Sequence, residues 1–316
     1  MGIIKGSLKL MGNVVTLGGV SRLEDAQKAY QQSFDTYQNV YKNAKSVESK
    51  IHANVNAIGM ALEKAKKSLD KNEAVLNGSL RAKTEWIGNI EATTSTLSQV
   101  ARFQKEYGSV SSIGAGVVTG STMAIGSWAL VSTFGAASTG AAIAELSGVA
   151  ATNATLAWFG GGSLAVGGAG MTGGAFILGG LVAIPLVVVA AKGTHKKAKE
   201  VEDETVKVEE ATVTLRGQID AMTEVLPLVQ SKKRDADETC EAFVDETARL
   251  RKIIRPWGLL SLLKQKIYGW FGKNPFSERQ KVAILSLDST ISAFLIWFRG
   301  SNAELRTPIT VELLTN

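Results

Sequence analysis

Residues 107–191 read YGSVSSIGAGVVTGSTMAIGSWALVSTFGAASTGAAIAELSGVAATNATLAWFGGGSLAVGGAGMTGGAFILGGLVAIPLVVVAA, and Glu145 is the only charged side chain among them. Both flanks are rich in Lys, Arg, Asp and Glu, so the composition changes abruptly at each border. A run this long without charge is either the buried centre of a helical assembly or a membrane-embedded segment. It divides into three pieces. Val110–Phe134 is long enough to cross a bilayer, which takes about 20 residues. A soft turn at Gly135–Gly140 leads to Ala141–Phe159, where Thr152 and Asn153 can interrupt or cap, and Gly160-Gly161-Gly162 breaks the chain again. The third piece, Ser163–Ala191, becomes strongly apolar from Ala175 and is followed at once by Lys192, Lys196, Lys197 and Lys199, the pattern of a transmembrane helix with a positive flank.

The expected membrane-inserting side chains are Trp128, Phe134, Trp158, Phe159, Phe176, Leu181 and Val187. Gly116 with Gly120, and Gly170 with Gly174, stand one helical turn apart and would let helix backbones approach closely. Glu145 has two readings. A lone carboxyl in apolar surroundings is a pH-dependent insertion switch, whereas at an exposed turn it is an ordinary surface charge. Ser109–Gly126 and Ser163–Gly174 are only marginally apolar, which suits segments that are soluble when sheltered and embedded when released.

Outward from this block the chain reads as heptads. Tyr30, Tyr37, Ala44, Ile51, Ile58 and Ala65 repeat every seven residues, and Phe34, Tyr41, Val55, Leu62, Leu69 and Leu76 form a second series, with Glu48 and Asn72 interrupting. Together they draw one apolar stripe along a helix. Ser21 with Glu24 fits a capping box, and Asn77-Gly78 is the expected break or bend. One helix over 21–106 would be roughly 120 Å long at ~1.5 Å per residue, and two antiparallel helices about half that. Beyond the block, Val201, Val208, Leu215, Met222 and Val229 repeat with Thr205, Thr212, Ile219 and Leu226, a second seam whose natural mate is the first. Pro227 is expected to kink it. Asp235–Arg255 continues the pattern with Cys240, a small core residue and the only cysteine, so no internal disulfide framework exists.

After Pro256 the chain mixes aromatics, leucines and lysines as far as Lys273, with Trp257, Trp270 and Phe271 as interfacial candidates. That composition suits an interfacial amphipathic segment or a corner closing the end of a bundle. Ser277–Phe298 reads as a final helix with a broad apolar face, and the tail from Gly300 as irregular. The five expected regions are an N-terminal amphipathic segment at 1–20, a heptad arm at 21–106, the hydrophobic hairpin at 107–191, a second arm at 192–255, and the aromatic segment, last helix and tail at 256–316. The first 20 residues lack the features of a cleaved secretory signal; they form either a short interfacial anchor or a helix packed on the bundle. Cytoplasmic synthesis and membrane association follow as expectations.

Catalytic signatures are absent. His52 and His195 stand far apart, and no zinc-type spacing of His or Cys occurs. Gly168-Ala-Gly170-Met-Thr-Gly173 matches GxGxxG without the flanking strand or the acidic residue that a dinucleotide site needs. The formal charge of +6 is too diffuse for nucleic acid and compatible with an anionic membrane surface. No enzyme activity, cofactor or metal is expected.

The heptad helix Tyr30–Leu76, the uncharged block Val110–Ala191 and the heptad helix Val201–Val229 together resemble the helical pore-forming and translocator proteins: ClyA-type cytolysins, apolipoprotein L-like proteins and type III secretion translocators. Thr152–Gly174 is similar to a glycine-rich stretch that recurs in bacterial proteins. The resemblance implies an all-α fold, an elongated helical bundle or coiled coil with a central Gly/Ala-rich helical hairpin. It implies a soluble form that hides the block and a membrane form that inserts it, with a lipid bilayer and a second copy or a related helical partner as partners. Toxin and self-acting defence effector are both open roles. The alternative is a membrane-anchored coiled-coil scaffold or sensor without pore activity.

Overall fold

The seam residues of the first heptad arm lie on one continuous helix. In a computed structural model of the chain, the described residues are 19–81, 90–115, 120–134, 194–256, 258, 261, 263, 267, 268 and 276–299. They form five helices: α1 (Gly19–Arg81), α2 (Ile90–Ala115), α3 (Gly120–Phe134), α4 (Thr194–Ile254) and α5 (Glu278–Phe298). No strand occurs among the described residues, and the fold is all-α. The chain divides into two units, one of residues 1–50 and 180–226, the other of residues 51–179 and 227–316.

In the first unit, α1 and α4 pair in parallel. Arg22 donates from Nε and Nη2 to the two carboxylate oxygens of Glu202, at 2.9 and 2.7 Å, and Ser33 Oγ donates to Glu209 Oε1 at 2.9 Å. Beneath these bonds Tyr30, Phe34, Tyr37 and Ala44 are buried, as are Val201, Val208, Leu215 and Met222 of α4. Heptad spacing is what puts all of them on one side of each helix. Thr205 and Thr212 fill the second α4 series. Each is buried, and each returns its hydroxyl to the carbonyl four residues back, so neither leaves a donor unpaired.

The second unit is a helical bundle of α2, α3, α5 and the remaining halves of α1 and α4. Ile51, Val55, Ile58, Leu62, Ala65, Leu69 and Leu76 continue the α1 seam, and Val229, Ala236, Phe243 and Leu250 continue that of α4. Ser68 Oγ and Thr247 Oγ1 share a buried hydrogen bond of 2.8 Å between them. α2 runs back along α1: Gln104 Nε2 donates to Asp70 Oδ1 at 3.0 Å and Glu73 Oε2 at 2.7 Å, and Lys66 Nζ sits 5.6 Å from the centre of the Tyr107 ring. The reading of 21–106 as two antiparallel helices agrees with this. α5 starts at a full capping box, Ser277 with Gln280, and Gln280 Nε2 also donates to Ile254 O at the end of α4.

Two local expectations change. α1 already begins at Gly19, so Ser21 and Glu24 lie inside it and Ser21 is not its N-cap. Asn77-Gly78 does not break α1, which runs on to Arg81. A Cβ at Gly78 would lie 3.3 Å from Arg255 Nη2, and that same nitrogen donates to Ala74 O; the glycine makes room for a guanidinium rather than a turn. Pro227 sits within α4, with buried Met222 and Val229 on either side of it. Its missing N–H forfeits the helical bond to Thr223 O, and the border between the two units falls at this proline.

Candidate functional site

The described part of the uncharged block is the end of α2 and a short helix, α3, packed among other helices. Val110–Ala115 completes α2 and Gly120–Phe134 forms α3, so Val110–Phe134 is two elements rather than one span. The described span of α3 is 15 residues. Its Met123, Ile125, Trp128, Ala129 and Leu130 are all buried.

Two features hold α3 in place. The first is a contact with α1 at two glycines. A Cβ on Gly59 would fall 2.0 Å from Thr122 O, and one on Gly126 would fall 1.9 Å from Val55 O. The helices therefore touch through their backbones, a distance only Gly permits. The second is an aromatic cluster around Trp128, which is 7% exposed. Its ring centre is 4.7 Å from that of Phe298, 5.8 Å from Phe103 and 6.3 Å from Tyr107. Phe103 meets Phe298 edge-on at 5.0 Å, and Phe294 stacks on Phe243 of α4 at 4.3 Å. Edge-on and offset rings match the aromatic quadrupoles and add about 0.5–1.5 kcal/mol per pair beyond burial.

Of the residues singled out in the sequence, Trp128 is the one whose side chain this cluster encloses. Gly120 is the first residue of α3 and Phe134 its last. Gly116, Glu145, Trp158, Phe159, Gly170, Gly174, Phe176, Leu181 and Val187 lie outside the described residues, as do Trp257, Trp270 and Phe271. Gly59 and Gly126, which bring the α1 and α3 backbones together, were not read from the sequence as packing residues. A signal was present: a glycine inside a helical pattern costs about 1 kcal/mol against alanine and so needs a packing reason.

α5 is the one described helix long and apolar enough to cross a membrane. Ala283, Ile284, Leu287, Ile291, Phe294, Leu295 and Phe298 are buried, while Val282 and Leu285 are exposed. Asp288 is its only charge between Lys281 and Arg299, and Asp288 Oδ1 is buried without a hydrogen-bond partner.

Two polar interruptions of the α1 seam are buried. Asn72 (0% exposed) donates from Nδ2 to Ser68 O at 2.7 Å. Glu48 (1% exposed) is ion-paired with Lys45, whose Nζ lies 2.6 Å from Glu48 Oε2. Burial, with Asp237 and Asp235 nearby, pushes the Cys240 thiol up to about 12. An open cleft of about 660 Å³ is lined by Lys66, Asp70, Gln104, Tyr107, Gly108, Ser111 and Ser112. No group of three His, Cys, Asp or Glu among the described residues could hold a metal ion. No protein-family model, curated protein or solved structure matches the chain.

Proposed function

We propose that the chain is a membrane-active helical protein that inserts a hydrophobic hairpin, drawn from residues 107–191, into a bilayer and oligomerises to permeabilise it. The observation that carries this reading is the sheltering of α3. An apolar helix from the uncharged block lies under α1, α2 and α5, held by backbone contact and aromatic packing. Such packing suits a stored form, because none of α3's described contacts requires an ion pair to be broken before release. The rest of the block would follow α3, with Trp158, Phe159, Phe176, Leu181 and Val187 entering lipid and Gly116, Gly120, Gly170 and Gly174 forming helix contacts in the oligomer. Glu145 would set the pH at which insertion becomes favourable. Locking α3 to α1 with a disulfide, through Val55→Cys paired with a cysteine placed on α3, should suppress dye release from vesicles until reductant is added. Release that is unaffected by the lock would remove α3 from the mechanism.

A second reading is a membrane-anchored coiled-coil scaffold or sensor. It is favoured by the parallel heptad pairing of α1 and α4 and by α5, whose length and composition suit an anchor. It calls for membrane binding without permeabilisation.

A further inference from the structure

Between Glu246 and Glu278 the chain carries seven Lys or Arg side chains and no acidic one. Arg249 is paired with Glu246; the others include Arg251, Lys252 and Arg255 at the end of α4, and Lys264, Lys266 and Lys273 beyond it. The same region carries unusual apolar exposure. Nine large hydrophobic side chains are exposed among the described residues, and five of them fall between Leu263 and Leu285. Leu263 is 56% exposed, Ile267 46% and Tyr268 39%. Leu263 and Ile267 stand four residues apart in helical turns, the spacing of one helix face. The ends of the region are anchored in the second unit. Arg255 Nη2 donates to Ala74 O, Gly258 turns the chain at φ +56°, and Gln280 Nε2 donates to Ile254 O.

We propose that this end of the second unit, around Leu263, Ile267 and Tyr268, is a docking surface for anionic lipid. A stretch of chain whose only charges are basic repels a basic partner and is attracted to a negative one. Exposed aliphatic and aromatic side chains in the same stretch of sequence as the lysines favour a bilayer, which accepts apolar groups at its interface, over a purely acidic protein surface. Docking here would bring the chain to the membrane before any hairpin leaves the bundle. The inference rests on the membrane-active reading but is measured separately from it, since docking requires no permeabilisation.

The test uses the full chain and dye-loaded vesicles, either pure phosphatidylcholine or one part in three phosphatidylserine, with flotation and dye release recorded together. Wild type should float with the anionic vesicles, should not float with the neutral ones, and should bind less when mixed with them at high salt. Lys252→Gln/Lys264→Gln/Lys266→Gln should weaken binding roughly a hundredfold, about fivefold for each basic residue at the surface. Leu263→Ser/Ile267→Ser should weaken it as well, and circular dichroism should show both variants as helical as wild type. Flotation without any dye release would end the hairpin proposal and leave docking standing. Docking is overturned if wild type does not float, if it floats equally with neutral vesicles, or if the lysine variant binds undiminished. Capture on polyglutamate without flotation would also overturn it, placing an acidic protein on this surface instead.

Discussion

Gly59 of α1 and Gly126 of α3 face each other so closely that a Cβ on either would sit about 2 Å from the other helix's backbone oxygen. Gly59→Ala must therefore push the helices apart, loosening Trp128 against Phe103. Overpacking of this kind costs about 1–3 kcal/mol, against roughly 1 kcal/mol gained from alanine's helix propensity. We expect a net loss of up to about 2 kcal/mol in urea unfolding. Gly126→Ala should behave alike, and the double variant should lose less than the sum, since both separate the same pair of helices. Gly217 provides the control. A Cβ there meets nothing within 4 Å, so Gly217→Ala should stabilise the protein by about 0.5–1 kcal/mol.

Trp128→Ala should destabilise the second unit by about 3–5 kcal/mol, because it removes the ring shared by Phe103, Tyr107 and Phe298. Loosened shelter should also make vesicle dye release faster than that of wild type at equal protein concentration. Slower release from a variant that remains folded would argue that Trp128 acts in the membrane and not in the shelter.

Much of this fold was legible from spacing alone. Ile51, Val55, Ile58, Leu62 and Leu69 are buried where the heptads put them, and α4 keeps the same period past Pro227 as far as Leu250. A seam is a local pattern, so one sequence is enough to read it. Asn77-Gly78 and the Gly59–Gly126 contact were not legible for the opposite reason. Whether a glycine ends a helix or admits a neighbour depends on what lies opposite, and that partner is remote: Arg255 for Gly78, Thr122 for Gly59. Trp128 was read as a membrane-inserting side chain, but its neighbours Phe103, Tyr107 and Phe298 come from two other helices. Asp288 went unremarked because it sits inside an otherwise apolar face.

The buried carboxylate of Glu48 interrupts a seam that otherwise takes apolar side chains. Replacing such a group with a hydrophobe of similar size is neutral or stabilising by about 1–4 kcal/mol. Glu48→Leu should raise the unfolding midpoint, and Lys45, half exposed, should tolerate the loss of its partner. A fall in stability would mean that the Lys45–Glu48 pair holds the seam together.

Cys240 supplies a pH test. Its thiol lies near 12 in the folded chain, against an ordinary value of 9.0, because burial disfavours the thiolate. A raised pKa contributes stability that is complete below about pH 9 and is lost as pH rises from 9 towards 12. Thiol labelling at pH 8 should therefore be roughly a thousandfold slower than in the urea-unfolded chain. The unfolding midpoint should drop over that alkaline range, and Cys240→Ala should reduce the drop.

The central claim is that the block is sheltered in one state and enters lipid in another. The most direct measurement purifies the full chain without detergent and mixes it with anionic liposomes at neutral and acidic pH, with flotation and dye release followed for wild type and Leu181→Asp. The account predicts a soluble wild type that binds and releases dye, and a Leu181→Asp variant that keeps its helical content and releases none. Wild type that stays soluble and never floats at either pH would contradict it, leaving the uncharged block as the core of a helical protein.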